Sequence, residues 1–217
     1  MLRLCCRYGS TEAGGDLEIR SRGAKDSGED ATHHALRPCA ASESSADPYS
    51  FQNRFLIPQR QNMHRVVREI ESQRGKESHW MWFIFPTPPW VVDGQERGSR
   101  DNRAYALRDL VPKYALTGDE ACRSYLTFKA PGSDGAAGGN SCELRANYLL
   151  AVKALLARLE QGSSAAEVLG GGNARKLHSS ITLFGRVAAT DDFDPEIARL
   201  CERVLVSIKV NGVDDQR

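Results

Sequence analysis

Apolar residues at helical spacing dominate the chain and limit most strongly what it can fold into. In residues 141–160 they recur every three or four positions, and Gly162 follows as a helix-ending residue. A second stripe follows Asp194-Pro195, a capping residue with a proline in the first helical turn. Each stripe makes one face of a helix apolar, and packing against another helix buries that face. The pattern predicts an all-α fold, a single compact helical domain with helices in antiparallel succession.

Weaker patterns predict three further helices. Two of them cover residues 59–73 and 118–129, and a short one follows Ser164. Paired polar residues three positions apart indicate how helices begin. These predicted capping pairs are Thr117 with Glu120, Asn140 with Glu143 and Ser164 with Glu167. Asp93-Gly94 lacks alternating flanks of strand length, so no β-hairpin is expected there.

The two ends of the chain differ from its middle in composition. Residues 1–46 are rich in Gly, Ser, Ala and charged residues and show no apolar period, so we expect a disordered N-terminal tail. Residues 47–210 form the predicted helical domain, and residues 211–217 form a short C-terminal tail. The first 46 residues lack the apolar segment of a secretory signal and contain too many acids for a transit peptide. We therefore expect a soluble, cytoplasmic protein.

The charge balance argues against several kinds of partner. Lys and Arg total 29 against 28 Asp and Glu, which gives a formal net charge of +1. The chain thus lacks the basic excess that favours nucleic acid or an anionic membrane, and we expect neither partner. Its longest apolar run, Trp80 to Phe85, is far shorter than the roughly 18 residues of a membrane span. Composition leaves the oligomeric state undetermined.

Motifs that would bring a metal or a cofactor are missing from the sequence. The six cysteines include no pair with the C-x-x-C spacing of a zinc or redox site, and Cys122 and Cys201 fall in apolar helical patterns. The glycines at 170–172 lack the lysine and serine that complete a phosphate-binding P-loop. We expect no metal site and no cofactor.

Residues 78–86, SHWMWFIFP, concentrate two tryptophans, two phenylalanines and a histidine in one short segment. The segment predicts a short buried helix that ends before Pro86. Two interpretations of its aromatic side chains remain open. They fill the core, as aromatic residues usually do, or they place His79, Trp80 and Trp82 around a ligand pocket, which needs apolar walls and a few polar groups.

Residues 176–184, KLHSSITLF, form the second unusual segment. On a helix, Lys176 faces Ser179 and Ser180, which follow it by three and four positions. A desolvated lysine can activate a neighbouring hydroxyl for nucleophilic attack. Serines at the start of a helix more often act as caps, so both interpretations of this segment stay open.

Together the two segments resemble a known family. Residues 78–86 are similar to the hallmark motif of the DUF1810 family, uncharacterised bacterial, fungal and algal proteins sometimes mislabelled calpastatin. Further similarity is carried by Asp47-Pro48-Tyr49, Arg54-Phe55, Gln59, Tyr114-Ala115-Leu116, Asp119-Glu120-Ala121, Tyr125-Leu126 and residues 176–184. The resemblance implies an all-helical fold of the α–α superhelix type without an established activity. Thr87 replaces a usual glutamine, and residues 173–175 replace acidic residues that usually precede the closing lysine.

Two functions of different classes follow. In the first, the chain binds or processes a small planar, anionic, nucleotide-like ligand in a cleft between the two motifs. The candidate catalytic residues are His79, as a general base, and Lys176. The candidate ligand-binding residues are Gln59, Trp80, Trp82, Ser179, Ser180 and Thr182. In the second, the chain is a non-catalytic helical module that offers a groove to a protein or peptide.

Overall fold

The structure is a computed structural model that describes residues 47–130 and 142–210. The two predicted tails and Asn140 lie outside the described residues. The described part is predominantly helical, which confirms the all-α prediction. Within these two ranges, no helix combines the length and the apolar character that a membrane span requires.

Helices follow one another along the described chain, with a small β-hairpin between the second and the third. The elements are α1 (Ile57–Glu71), α2 (Met81–Ile84), β1 (Val91–Val92), β2 (Gln95–Glu96), α3 (Arg100–Tyr105), α4 (Asp119–Thr127), α5 (Glu143–Glu160), α6 (Ala165–Leu169), α7 (Gly171–Ala189) and α8 (Pro195–Val210). A π-helical turn, Gln52–Leu56, leads into α1, and short 3-10 turns cover Pro112–Tyr114 and Thr190–Asp192.

The core lies between the long helices. α5 packs against both α1 and α8, and α7 packs against α4 and α8. Tyr148 of α5 stacks on Phe184 of α7 with ring centroids 4.0 Å apart, and Tyr125 of α4 meets the same phenylalanine edge-on at 5.5 Å. Cys122 and Cys201 are buried free thiols, as their apolar surroundings predict. Aromatic pairs in both geometries contribute beyond the area they bury, so these rings help to fix how the helices pack.

The two ends of α1 show how the chain enters and leaves this helix. The π-helical turn Gln52–Leu56 continues directly into α1, so Pro58, which has no N–H to donate, lies where the wider π-helical pattern gives way to the α-helix. At the other end, Arg158 Nη1 donates to the carbonyl oxygens of Glu71 at 3.0 Å and Ser72 at 2.5 Å. The buried guanidinium satisfies carbonyls that a helix end leaves unpaired, and its charge suits the C-terminal dipole.

The predicted cap of α4 is wrong. The helix begins after Gly118, and Thr117 Oγ1 donates to Asp109 Oδ2 at 2.6 Å instead of capping. The other oxygen of Asp109 accepts the N–H of Ala121 at 2.7 Å. A carboxylate from twelve positions earlier therefore satisfies the first turn, which local spacing does not reveal.

The predicted N-caps are confirmed for α6 and α8, and α5 has a different N-cap residue. At α5, Cys142 holds the N-cap position and its Sγ accepts a first-turn backbone N–H at 3.4 Å, whereas Asn140, the predicted cap, lies outside the described residues. The capping box of Ser164 and Glu167 is confirmed at α6. Asp194 is confirmed at α8, where its Oδ1 accepts a first-turn backbone N–H at 3.3 Å.

The hairpin corrects the expectation of no strand pairing. β1 and β2 pair antiparallel, each with only two residues. Asp93 and Gly94 join them with φ values of 52° and 72°, the positive values of a type I′ turn. Strands this short contain no alternation to detect, so their pairing depends on the surrounding structure. An ion pair between Glu96 and Arg108 ties the hairpin to the chain that follows α3.

Candidate ligand-binding site

Lys176 and Trp82 are distant in sequence and in direct contact in the structure. Lys176 lies in the second turn of α7, Trp82 lies in α2, and Lys176 Nζ is 3.6 Å from the centroid of the Trp82 ring. Both side chains are partly buried. The ammonium group is held on the indole face by a cation–π interaction. The fold thus brings together one predicted site residue from each motif.

The charge of Lys176 is poorly compensated. Its Nζ lies 3.5 Å from Asn173 Oδ1, and no carboxylate among the described residues forms an ion pair with it. Burial lowers the pKa of Lys176, and the positive charge of Lys76 lowers it further. The exposed carboxylate of Asp101 acts in the opposite direction. Lys176 therefore loses its proton more readily than an ordinary lysine.

Lys76 supplies a second ammonium group, from the segment between α1 and α2. Its backbone N–H donates to Val168 O at 2.8 Å. The preceding Gly75 has a φ of 71°, and a Cβ there would lie 2.7 Å from two carbonyl oxygens of α6, so glycine is required. Lys76 Nζ lies 5.3 Å from the centroid of the Trp80 ring. These contacts anchor Lys76 beside α6, which leads directly into α7.

A buried carboxylate fixes the segment that carries Lys76 and Trp80. Glu69 of α1 accepts hydrogen bonds from Trp80 Nε1 at 2.7 Å, Ser78 Oγ at 2.5 Å and the backbone N–H groups of Glu77 and Ser78 at 2.9 and 3.0 Å. Burial raises the pKa of Glu69, but these hydrogen bonds outweigh burial and lower the pKa to about 2. Burial also lowers the pKa of Lys76, and the charge of Glu69 opposes that effect.

His79 and Ser179 are both exposed. Ser179 Oγ donates to the carbonyl oxygen of Arg175 at 3.2 Å, a bond within α7. Since α7 begins at Gly171, Ser179 and Ser180 lie in the middle of the helix. The interpretation of the two serines as helix caps is therefore wrong.

Gln59, Trp80 and Ser180 are buried, which corrects their predicted place on a ligand cleft. Gln59 Nε2 donates to Phe83 O at 2.6 Å and to Tyr125 Oη at 2.7 Å, and so links three helices. Ser180 Oγ lies 3.5 Å from a core tyrosine hydroxyl. Their polar atoms bond to other parts of the chain, so these residues stabilise the interior and do not face a ligand.

Thr182 faces a different part of the surface. It is exposed and lines a groove of about 530 Å³ between α7 and α8, together with Gly185, Arg186 and Leu205. The lining of this groove includes neither Lys176 nor Trp82. The helix that carries both Lys176 and Thr182 therefore presents them to separate sites.

Lys76, Trp82 and Lys176 form what we call the lysine–tryptophan site, and the ring of the buried Trp80 supports Lys76 from the interior. It offers two ammonium groups on indole faces, and the indole of Trp82 is only partly buried. Ammonium groups bind anions, and an indole face packs against a planar group. Within the part of the chain that the structure describes, no group of three or more His, Cys, Asp or Glu side chains could hold a metal ion.

The sequence patterns do not single out Lys76 or Glu69, which the structure adds to the site. Glu69 did leave a signal, since it lies beside Val66 and Ile70 on the apolar face of α1, where a carboxylate needs hydrogen-bond donors. No sequence pattern indicated Lys76, because its position depends on the contact of Gly75 with α6.

The fold is shared with the conserved hypothetical protein Rv1873 from Mycobacterium tuberculosis, known from its crystal structure. The two have a TM-score of 0.52 and 23% sequence identity, over 76% of this chain and 92% of that chain. At this identity the likeness shows the fold alone. No protein of curated function matches the sequence.

A family model tests the predicted relationship directly. Residues 50–129 match the family described as a protein of unknown function, DUF1810. The matched stretch includes Glu69, Lys76, Trp80 and Trp82, whereas Lys176 lies beyond it. Over residues 50–129 the chain is similar to the DUF1810 family, which is consistent with the resemblance that its aromatic motif indicates.

Proposed function

We propose that the lysine–tryptophan site binds a small planar, anionic ligand of nucleotide-like chemistry. One observation supports this most: Lys76 and Lys176 are partly buried neighbours, and neither forms an ion pair with a carboxylate among the described residues. Two such cations repel each other more strongly than they would in bulk water. An anion between them replaces that repulsion with two charge-assisted hydrogen bonds.

The indole of Trp82 supplies the wall for the planar half of the ligand. In the free protein the ammonium group of Lys176 lies over this ring. A cation–π contact at an exposed position contributes about 0.5–1 kcal/mol, whereas a hydrogen bond to a charged group contributes about 1.5–3 kcal/mol. An anionic group therefore draws the ammonium group off the ring, and the indole face becomes free to stack.

His79 is the candidate for a group that does chemistry on the ligand. Its imidazole is exposed and precedes Trp82 by three positions. In the enzymatic form of the proposal, His79 acts as a general base and Lys176 stabilises negative charge on the substrate. The reaction class is hydrolysis or group transfer on a nucleotide-like substrate.

Calorimetric titration with adenosine 5′-monophosphate tests the binding proposal, with adenosine as the uncharged comparison. We expect Lys76→Gln and Lys176→Gln each to weaken binding by about tenfold or more, because each removes a charge-assisted hydrogen bond. Lys113→Gln is the matched control, since Lys113 Nζ also lies over an aromatic ring, 5.2 Å from the Tyr114 centroid, but is exposed. Equal weakening in all three variants, or no binding by the wild type, would contradict the proposal.

A second candidate function is the helical interaction module. It is favoured by the exposure of large apolar side chains, Trp90 at 56%, Leu110 at 53% and Tyr114 at 51%. Apolar side chains left in water mark interaction surfaces when they are contiguous. Sedimentation velocity of the wild type and of a Leu110→Ser, Tyr114→Ser double variant tests whether this surface binds a second copy. Self-association that the double variant loses would support a second copy as the partner, and a wild type that stays monomeric would exclude that partner.

A further inference from the structure

We propose that Gly75 is a positioning residue of the lysine–tryptophan site. By packing on the end of α6, Gly75 fixes where the ammonium group of Lys76 lies relative to that of Lys176. The effect of Gly75 on ligand binding rests on the proposed anion-binding function, whereas its effect on the two lysines can be measured without a ligand.

The turn that carries Lys76 is joined to the helices that lead to Lys176. Lys76 donates its backbone N–H to Val168 O at 2.8 Å, near the end of α6. α6 leads through Gly170 directly into α7, and Lys176 lies in the second turn of α7. The charge of Lys76 acts on Lys176, which agrees with this short path. The hydrogen bond to Val168 therefore sets the position of one lysine relative to the helix that carries the other.

Gly75 makes a close backbone approach to α6 that a side chain would prevent. It is buried and has a φ of 71°. A Cβ at this position would lie 2.7 Å from both Glu167 O and Val168 O, well inside van der Waals contact. Both oxygens belong to the backbone, so they cannot rotate away as the end of a flexible side chain can. A larger residue at position 75 therefore moves the turn, and Lys76 with it, away from α6.

The chain on each side of Gly75 is held by contacts of its own. Before Gly75, Arg158 Nη1 donates to Ser72 O at 2.5 Å. After Lys76, the carboxylate of Glu69 accepts the backbone N–H groups of the next two residues. Because Gly75 takes part in neither contact, a Cβ at this position acts mainly on the place of Lys76 and leaves the flanking chain in position.

Titration of Lys176 measures the spacing of the two lysines without a ligand. The Cε resonance of Lys176 is followed against pH by NMR of the full chain with isotope-labelled lysine, and Lys176→Gln identifies the resonance. Lys76→Gln should raise the pKa of Lys176, because it removes a neighbouring positive charge. Gly75→Ala should raise this pKa too, because Lys76 moves away. Asp101 of α3, the other charged group that acts on Lys176, is unchanged in both variants.

Calorimetric titration with adenosine 5′-monophosphate measures the consequence for binding. We expect Gly75→Ala to weaken binding by about tenfold, as Lys76→Gln does, because each removes the same charge-assisted hydrogen bond. The double variant should therefore bind no more weakly than either single variant.

Gly94→Ala is the matched control for backbone strain. Gly94 has nearly the same φ, 72°, but a Cβ there would have nothing within 4 Å. The substitution thus repeats the conformational strain of Gly75→Ala without displacing a neighbour. Gly94→Ala should leave both the pKa of Lys176 and nucleotide binding unchanged, and a change in either as large as in Gly75→Ala would contradict the positioning role.

The possible results separate the role of Gly75 from the proposed function. A pKa of Lys176 that rises in Lys76→Gln but not in Gly75→Ala would overturn the positioning role even if the nucleotide binds. A pKa that is unchanged in Lys76→Gln would also overturn it, because the two ammonium groups would then not be neighbours. A rise in both variants without nucleotide binding by the wild type would support the positioning role and contradict the proposed function.

Two further results would also count against Gly75 as a positioning residue. Nucleotide binding by Gly75→Ala as tight as that of the wild type would show that the site does not depend on this contact. Circular dichroism shows whether Gly75→Ala is folded, and an unfolded variant would assign Gly75 to the stability of the fold instead of to the site.

Discussion

Trp80 and Trp82 are two positions apart in one motif and have different roles. Trp80 is 1% exposed, and its indole N–H donates to the buried carboxylate of Glu69 at 2.7 Å. Trp82 is partly buried, and its ring face receives the ammonium group of Lys176. One indole is held in the interior by an anion, and the other meets a cation at the surface.

The difference teaches that one aromatic motif contains both a core ring and a ring that stays partly open to solvent. A step of two positions in a helical turn rotates the side chain by roughly 200°, so the two rings point to opposite sides. The inner ring and its carboxylate fix the segment, and the outer ring forms a wall of the lysine–tryptophan site. Variants of Glu69 and Trp80 should therefore affect stability more than variants of Trp82 and Lys176.

Removing the carboxylate of Glu69 has the largest expected effect. Glu69→Ala leaves the indole N–H of Trp80 and two backbone N–H groups without an acceptor and opens a cavity, so we expect the free energy of unfolding to fall by about 4 kcal/mol. Urea denaturation measures the loss. Glu71→Ala, at an exposed position of the same helix, is the control and changes stability by less than about 0.5 kcal/mol. Similar losses of stability in both variants would show that the hydrogen bonds of Glu69 do not stabilise the fold.

Acid should weaken the same hydrogen bonds by protonating the carboxylate of Glu69. The pKa of Glu69 is lowered in the folded protein to about 2 from an ordinary 4.5, so its stabilisation is complete above the ordinary value and is lost as the pH falls towards 2. The full shift corresponds to about 3 kcal/mol. Denaturation of the wild type and Glu69→Gln between about pH 6 and pH 2 measures it. The stability difference should shrink as the pH falls, and a constant difference would exclude this titration.

Replacing the two tryptophans separately tests the division between them. Trp80→Phe removes a hydrogen-bond donor to Glu69 and buried volume, so we expect a loss of about 2 kcal/mol in unfolding free energy. Trp82→Phe keeps a ring under Lys176 and should cost less than about 1 kcal/mol. Thermal and urea unfolding give both values. Equal losses would show that the two rings do not differ in role.

Replacing Lys176 has the smallest expected effect on stability. Lys176→Gln removes one cation–π contact and also the repulsion by Lys76, so the net change in unfolding free energy should stay within about 0.5 kcal/mol. A large loss of stability would place Lys176 among the structural residues and weaken the proposed ligand site. Urea denaturation of Lys176→Gln measures this change and shows whether a loss of ligand binding comes from a loss of stability.

Much of the fold could be predicted from sequence because its signals are local. The stripes of α5 and α8, the capping box of Ser164 and the cap at Asp194 each depend on residues within one or two helical turns. The cap of α4 depends on a distant residue. Asp109 accepts a backbone N–H in the first turn of α4 from twelve positions away, which no local pattern indicates.

The candidate site was predicted only in part. The contact of Lys176 with Trp82 joins two segments that the sequence had marked separately. Gln59 and Ser180 were also marked, but they are buried, because helix packing turned their side chains towards neighbouring helices. A motif identifies unusual side chains without indicating which of them the final packing encloses.

The sequence by itself determined the helices, because apolar periodicity and capping act over a few residues, and its aromatic motif indicated the family whose model matches residues 50–129. Tertiary structure alone decided that Trp80 is enclosed with Glu69, that Trp82 remains partly open under Lys176, and that Lys76 lies beside α6. These outcomes depend on contacts between α1, α2, α6 and α7, which are distant along the chain. Burial and charge environment are properties of the packed chain, and they separate an enclosed residue from a partly open residue of the same type.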